Sequence, residues 1–265
     1  MHLKELYKNH GTAARCAAVI LTFLSGISLF SASIAKAEIS DEIQTSPHIA
    51  SHIIGIDPGH QGPNVDMSDL EPLGPGSTEM KAKASTGTQG TFSGLPEYQL
   101  NLDVSLKLQK LLEDRGYETV LTRTDNDTAI SNKERAEYVA DQGAEICVRI
   151  HANGAEASSA AGALTISPSS SNPYVPQLYE ESSELSQHIL DAYCAATGFD
   201  NRGITYADNM TGINWSTIPV TIVEMGFMTN ESDDLKMSDP DFQDTMAAGI
   251  ADGIDNYFAE KDSVH

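Results

Sequence analysis

Four polar residues with the right types for hydrolytic chemistry stand beside apolar segments of the chain. His60 follows IIGIDPG, His151 follows ICVRI, Glu224 follows VTIV, and Glu97 precedes a long amphipathic stretch. Two neutral imidazoles and one carboxylate can hold a zinc ion and leave a fourth position open for water. A second carboxylate outside the metal shell can take a proton from that water as it attacks an amide. The set is compatible with a zinc-dependent hydrolase, but no local motif such as H-E-x-x-H accompanies it, so the spacing alone is weak evidence.

Each of the four residues also has an ordinary structural interpretation. His60 could be a turn residue after Asp57, Pro58 and Gly59, and His151 could be a core histidine. Glu97 would be favoured at a helix start by the helix dipole. Glu224 is harder to explain structurally, because a carboxylate that closes an apolar strand is destabilising unless it is paired or functional.

Strand and helix patterns alternate along the chain and must position these residues. We predict strands at 52–57, 117–122, 145–151, 163–167 and 219–224, and helices at 98–115, from Ser131, at 180–197 before Gly198, and from Pro240 to about 258. Ser131 and Glu134 form a capping box, and Asp239-Pro240 is a strong start signal. The alternation predicts a single catalytic domain of the α/β class, with a largely parallel (mixed) twisted sheet flanked by helices on both faces.

The predicted sheet gives a reason for the four residues to meet. Functional sites of such sheets lie outside the carboxyl ends of the strands. His60, His151 and Glu224 are therefore expected at one edge, and the helix that follows the first strand can bring Glu97 to the same edge.

The first 37 of the 265 residues are typical of an export signal. A basic start is followed by the apolar run CAAVILTFLSGISLF, which is short for a membrane span, and by Ala35-Lys36-Ala37 as a cleavage site. An uncleaved anchor is the alternative. We predict a polar linker at 38–51, the catalytic domain at 52–260 with a long loop insert at 67–94, and a tail at 261–265.

The formal net charge of −22 argues against nucleic acid and anionic membranes as partners. We expect a monomer without stable membrane association once the signal is cleaved. Cys147 and Cys194 remain after cleavage, and two buried free thiols are favoured over a single bridge.

Four segments together resemble the zinc-dependent N-acetylmuramoyl-L-alanine amidases, over about residues 53–258. They are IIGIDPGH, EYQLNLDVSLKLQKLLEDRGYETVLTR, SNKERAEYVADQGAEICVRIHANG and VTIVEMGFMTN. The resemblance implies that one zinc ion is bound by His60, Glu97 and His151 and that Glu224 is catalytic. It implies cleavage of peptidoglycan between muramic acid and the first L-alanine of the stem, by a secreted enzyme of the cell wall or periplasm.

The resemblance also suggests substrate contacts. NRGI at 201–204 is similar to a segment lining the family's substrate groove, which makes Arg202 a candidate. Asn153 is a second candidate and Asn230 a third, although both asparagines could instead shape turns, which we favour.

Two departures from the family pattern concern the insert and position 149. The 67–94 loop is longer than in minimal members, and we expect it to border the groove and to gate or shape access. Arg149 stands where the family commonly has a small residue, and an interior charge should have a carboxylate partner. Asp57 is either a second-shell carboxylate for a ligand histidine or a plain turn residue.

Three other functions compete with this interpretation. A different zinc peptidase, such as a carboxypeptidase acting on stem peptides, would share the metal and differ in the bond cut. A non-catalytic wall-binding module would not need Glu224. A glycosidase with two carboxylates would leave both histidines unexplained.

Overall fold

The computed structural model describes residues 52–263, so the predicted signal, the predicted linker and the last two residues of the predicted tail lie outside the described residues. The strands are β1 (Ile53–Pro58), β2 (Leu70–Pro72), β3 (Met80–Ala82), β4 (Glu118–Leu121), β5 (Ile146–Asn153), β6 (Ala163–Ser167), β7 (Asn201–Tyr206) and β8 (Val220–Phe227). The helices are α1 (Glu97–Asp114), α2 (Asn132–Asp141), α3 (Tyr179–Thr197), α4 (Thr211–Asn214), α5 (Glu231–Met237) and α6 (Pro240–Ser263).

Six strands form one mixed sheet in the order β4-β1-β5-β8-β6-β7. All neighbouring pairs are parallel except β6 and β8, which are antiparallel. One apolar cluster joins the sheet to α1, α3 and α6, and a second cluster joins it to α2 and α4. The predicted α/β fold with helices on both faces is therefore confirmed.

Side-chain alternation along β5 shows why the sheet has two cores. Ile146, Val148 and Ile150 belong to the first cluster, while Cys147 belongs to the second. Successive residues of a strand point to opposite faces of the sheet, so the sequence of a strand that is buried on both faces is apolar at nearly every position. Cys147 and Cys194 are both free thiols, as predicted, although Cys194 is only partly buried.

The insert at 67–94 is not a plain loop. β2 and β3 pair in an antiparallel hairpin. Trp215 donates from Nε1 to the carbonyl of Pro72 at 2.8 Å, and Lys81 donates from Nζ to the carbonyl of Asn209 at 2.8 Å. Strands of three residues are too short to show a period, so the sequence did not predict them.

The last helix extends further than expected, through the first part of the predicted tail. Lys261 lies within 2.5 Å of a carboxylate oxygen of Glu181 and 3.2 Å from the hydroxyl of Tyr257, which attaches the extra turn to α3. Among the residues from 52 to 263, no helix is both long enough and apolar enough to cross a membrane.

Candidate active site

The turn after β1 presents His60 in an unusual backbone conformation. Its φ is 64°, and it is the one non-glycine residue with positive φ in the described part of the chain. Such a conformation is strained for most side chains and needs support from its surroundings. Arg135 donates to the His60 carbonyl at 2.9 Å, and Arg123 donates to the Gly59 carbonyl at 3.0 Å. Two buried guanidinium groups therefore fix the turn that presents the histidine.

The sheet register places two of the remaining residues side by side. His151 in β5 pairs directly with Glu224 in β8, so both side chains lie at the carboxyl edge that β1 also reaches. Glu97 begins α1 and is buried. His60 Nε2 is 3.1 Å and His151 Nδ1 is 3.3 Å from Glu97 Oε1. The structure thus brings together the four residues that the sequence singled out.

The insert supplies groups that hold two of these side chains. The carbonyl oxygen and the Oγ of Ser85 each lie 3.1 Å from His60 Nδ1. Thr88 donates from its backbone N–H to Glu97 Oε2 at 2.8 Å, and Asn101 donates to Glu97 Oε1 at 3.4 Å. Partners of this kind set the orientation of metal-binding side chains. Neither Ser85 nor Thr88 was predicted as a site residue, because their segment has no periodic pattern.

Burial and charge shift the protonation equilibria of the site in different directions. Burial alone would raise the pKa of Glu97, but hydrogen bonds with His151 and His60 hold it well below its usual range. Burial lowers the pKa of His151 to about 4, against the effect of its bond to Glu97. Burial, and then the charge of Glu97, raises the pKa of Glu224 to about 8. An ionised Glu97 beside a neutral His151 has the protonation that metal ligands require.

The residues present fit a bound metal ion. One ligand atom each from His60, Glu97 and His151 lies within 4.8 Å of the others. In the described part of the chain, His151 Nε2 and Glu224 Oε2 are buried polar atoms without a hydrogen-bond partner. Unpaired buried polar groups are costly and need an explanation, which a bound ion and its substrate would provide. Two histidines and one carboxylate are a donor set that suits zinc.

A cleft of about 520 Å³ opens over these residues. The four site residues line it together with Thr88, Ala152, Asn153, Gly154, Ala155, Glu156 and Thr229. Its lining in residues 52–263 includes Glu97, Glu156 and Glu224 but neither lysine nor arginine.

The contacts of Asp57 differ from the predicted role of a second-shell carboxylate for a histidine, and they identify the carboxylate partner of Arg149. Asp57 Oδ1 lies 2.7 Å from Arg135 Nη1 and its Oδ2 lies 2.7 Å from Arg149 Nε, while Thr122 donates to it at 2.5 Å. Its bonds in the described structure therefore go to arginines and a threonine, and it does not orient a ligand histidine. The register explains this, because Asp57 pairs with Arg149 across β1 and β5. Asp57 is the expected carboxylate partner of Arg149.

The three residues predicted as candidate substrate contacts lie in different places relative to the cleft. Arg202 lies on the edge strand β7, donates to the Ala161 carbonyl at 3.0 Å, and does not line the cleft. Asn153 does line the cleft, and its side chain also accepts from Gly154 N at 2.8 Å. Asn230 caps α5, which agrees with a structural role. Contact of Arg202 or Asn153 with substrate stays a prediction.

A mixed α/β sheet with two histidines and two glutamates gathered at its carboxyl edge is an arrangement typical of metal-dependent hydrolases. A family model described as N-acetylmuramoyl-L-alanine amidase matches residues 54–256. The chain belongs to this family.

Similar proteins agree with this assignment. N-acetylmuramoyl-L-alanine amidase LytC of Bacillus subtilis is 32% identical over 168 residues, which are 63% of this chain and 32% of LytC. N-acetylmuramoyl-L-alanine amidase Rv3717 of Mycobacterium tuberculosis is 26% identical over 230 residues, which are 83% of this chain and 92% of that protein. The crystal structure of the amidase Ami1 from Mycobacterium smegmatis matches with a TM-score of 0.72 at 24% identity, covering 80% of this chain and 99% of Ami1. This chain spans about a third of LytC, and the likeness to Ami1 shows the fold.

Proposed function

We propose that this protein is a zinc-dependent N-acetylmuramoyl-L-alanine amidase of bacterial peptidoglycan. It hydrolyses the amide between the lactyl group of N-acetylmuramic acid and the first L-alanine of the stem peptide. One observation carries the proposal: His60, Glu97 and His151 converge within 4.8 Å, and Glu224 lies on the strand beside His151. Membership of the amidase family supports peptidoglycan as the substrate of this site.

His60, Glu97 and His151 would hold the zinc ion. When bound, zinc supplies Lewis acidity, which makes water a competent nucleophile at neutral pH and polarises the scissile carbonyl. A cation held by the three ligands would lower the pKa of Glu224 from the value of about 8 that burial and Glu97 give it, which favours the ionised form. Ionised Glu224 accepts a proton from the attacking water as the new C–O bond forms. It then gives that proton to the L-alanine nitrogen as the C–N bond breaks.

Ser85, Thr88 and Asn101 support the site by positioning the side chains that would bind zinc. Ser85 orients His60, while Thr88 and Asn101 hold the two oxygens of Glu97. Because His60 and Glu97 each have a partner outside the ligand set, these two side chains are preorganised. Asn153 and Arg202 are our candidates for contact with the substrate on the basis of the resemblance, and Asn153 has the support of lining the cleft.

We also propose that residues 1–37 direct export and are removed, which leaves a monomer acting in the cell wall or periplasm. The amidase family and its wall substrate support an extracellular location. N-terminal sequencing of the released protein tests this. A mature protein that begins at Glu38 is expected, whereas one that retains residues 1–37 would indicate an anchor.

A metal assay combined with product analysis distinguishes the roles of Glu97 and Glu224. We expect Glu224→Gln to retain zinc and to lose activity by ~10²–10⁴-fold, the usual contribution of a positioned base. Glu97→Gln should lose zinc together with activity. Glu156→Gln is the matched control, because Glu156 lines the same cleft as an exposed residue outside the ligand set.

Mass spectrometry of digested peptidoglycan identifies the bond. A new L-alanine N-terminus and an intact glycan chain are expected, and a chelator should abolish both. Cleavage within the stem would support the alternative zinc peptidase instead. Zinc loss in Glu224→Gln with full activity in Glu97→Gln would refute our assignment of roles.

A further inference from the structure

A second cleft of about 450 Å³ lies close to the candidate active site. It is lined by Phe92, Ser158, Asn230, Glu231, Ser232 and Leu235. Three chain segments contribute to both clefts: Thr88 and Phe92 belong to the first segment, Glu156 and Ser158 to the second, and Thr229 and Asn230 to the third. Since residues close together in the chain line both, the two clefts are neighbours on the same surface.

The aromatic ring in the second cleft is carried on a fixed backbone. Asp234, which is 1% exposed, accepts from Phe92 N at 2.7 Å and from Ser93 N at 2.9 Å. Thr91 N donates to the carbonyl of Met228 at 2.9 Å. The Phe92 side chain nevertheless stays 48% exposed, and Leu235 in the same cleft is 49% exposed. A backbone held in one place limits the positions open to an exposed ring, which lowers part of the entropic cost of binding a ligand.

The other groups of the second cleft are suited to a neutral polar ligand. Ser158 and Ser232 carry hydroxyl groups, and Asn230 joins two walls by donating to the carbonyl of Ser158 at 2.8 Å. Among the described residues that line the second cleft, Glu231 alone is charged, and Glu156 lines the neighbouring first cleft. A stem peptide rich in carboxylates would be repelled by these acids. A pyranose ring is neutral, presents an apolar C–H face to an aromatic ring, and offers hydroxyl and acetamide groups to serines.

We propose that the second cleft is a glycan subsite that binds a neutral N-acetylated sugar of the peptidoglycan strand next to the muramic acid whose amide is cut. Phe92 stacks on the sugar ring, and Leu235 extends the apolar surface. This inference rests on the proposed amidase function. It means that the enzyme recognises a length of glycan strand as well as the single muramyl peptide.

Kinetics on two substrates test the subsite with Phe92→Ala, Phe92→Tyr and Tyr138→Ala in the zinc-loaded enzyme. One substrate is a soluble glycan strand with stem peptides, and the other is a single muramyl peptide. We expect Phe92→Ala to raise KM for the strand by about threefold to tenfold, the range of one aromatic contact, with kcat unchanged. The single muramyl peptide should be unaffected, and Phe92→Tyr should behave as wild type. Tyr138 is the control, because it is an aromatic residue 41% exposed on α2 and lines neither cleft.

Direct binding separates this inference from the proposed function. A peptide-free tetrasaccharide of N-acetylated sugars, titrated into zinc-loaded Glu224→Gln by calorimetry, should bind, and adding Phe92→Ala should weaken binding by a similar factor. Binding that Phe92→Ala does not change would overturn the subsite, as would no binding or a preference for a sugar-free stem peptide. If wild type cleaved neither kinetic substrate, the amidase proposal would fail while the titration still decided the subsite.

Discussion

Asp57→Asn tests the buried charge network that supports the turn of His60. In the described structure Asp57 is the carboxylate that pairs with both Arg135 and Arg149, each at 2.7 Å. All three side chains are at most 5% exposed. Asparagine keeps the shape of the side chain, so the substitution removes the charge with little change in packing.

The magnitude follows from burial. Removing one partner of a buried ion pair costs about 3–5 kcal/mol, because the remaining charge is left uncompensated. That is a large part of the ~5–15 kcal/mol by which a domain is stable. Asp252→Asn is the control, since Asp252 pairs with Arg115 at 2.8 Å and is 55% exposed. An exposed pair of this kind contributes ~0–1 kcal/mol.

Burial alone would raise the pKa of Asp57, but the charges of Arg135 and Arg149 hold it well below its ordinary value of 3.8. A carboxyl whose pKa is lowered by folding stabilises the protein at pH values above its ordinary pKa. That contribution is lost as the pH falls below 3.8. The difference between wild type and Asp57→Asn should therefore be full at neutral pH and shrink in acid.

Urea unfolding measures both the loss of stability and its dependence on pH. The zinc concentration is held fixed, because a bound metal would itself add stability. A loss in Asp57→Asn no larger than that in Asp252→Asn would refute the reasoning. So would a difference between Asp57→Asn and wild type that stays constant from neutral pH into acid.

Two glycines give further predictions. Gly87 has a φ of 74°, and a Cβ there would meet Glu97 Oε2 and lie 2.7 Å from His60 Cδ2. Gly87→Ala should therefore weaken zinc binding ~10–100-fold, measured by competition with a chelator. An unchanged zinc affinity would contradict this account of the packing. A Cβ at Gly212 would meet the guanidinium of Arg149, so Gly212→Ala should lower the free energy of unfolding by ~1–3 kcal/mol. In Gly212→Ala/Arg149→Met the two losses should be less than additive, and strict additivity would show that the clash is not their cause.

Local signals predicted much of the fold. The capping box of Ser131 and Glu134 is present, and Gly198 ends α3 in the left-handed conformation. Apolar runs located β1, β5 and β8, which was enough to place His60, His151 and Glu224 at one edge of the sheet. These features depend on residues close together in sequence, where period and capping are reliable.

Contacts between distant segments were not predictable in the same way. Asp57 lies 78 positions from Arg135 and 92 from Arg149 in the chain, and no local pattern announces either pair. The sequence correctly required a carboxylate for Arg149 but could not select it. Ser85 was missed for the same reason, since its partner His60 lies 25 positions away.

The insert was expected to gate or shape access to the groove, and its two parts have different relations to the site. The β2–β3 hairpin is anchored to the region of α4 through Trp215 and Lys81. The segment that follows contacts two of the proposed metal ligands through Ser85 and Thr88, and its residue Phe92 lines the second cleft. One stretch of chain therefore contacts His60 and Glu97 and forms a wall of the proposed sugar subsite. Because the Ser85 carbonyl and the Thr88 N–H are backbone groups, the surroundings of His60 and Glu97 depend on the path of this segment, which agrees with a role in shaping the site, while gating stays a prediction.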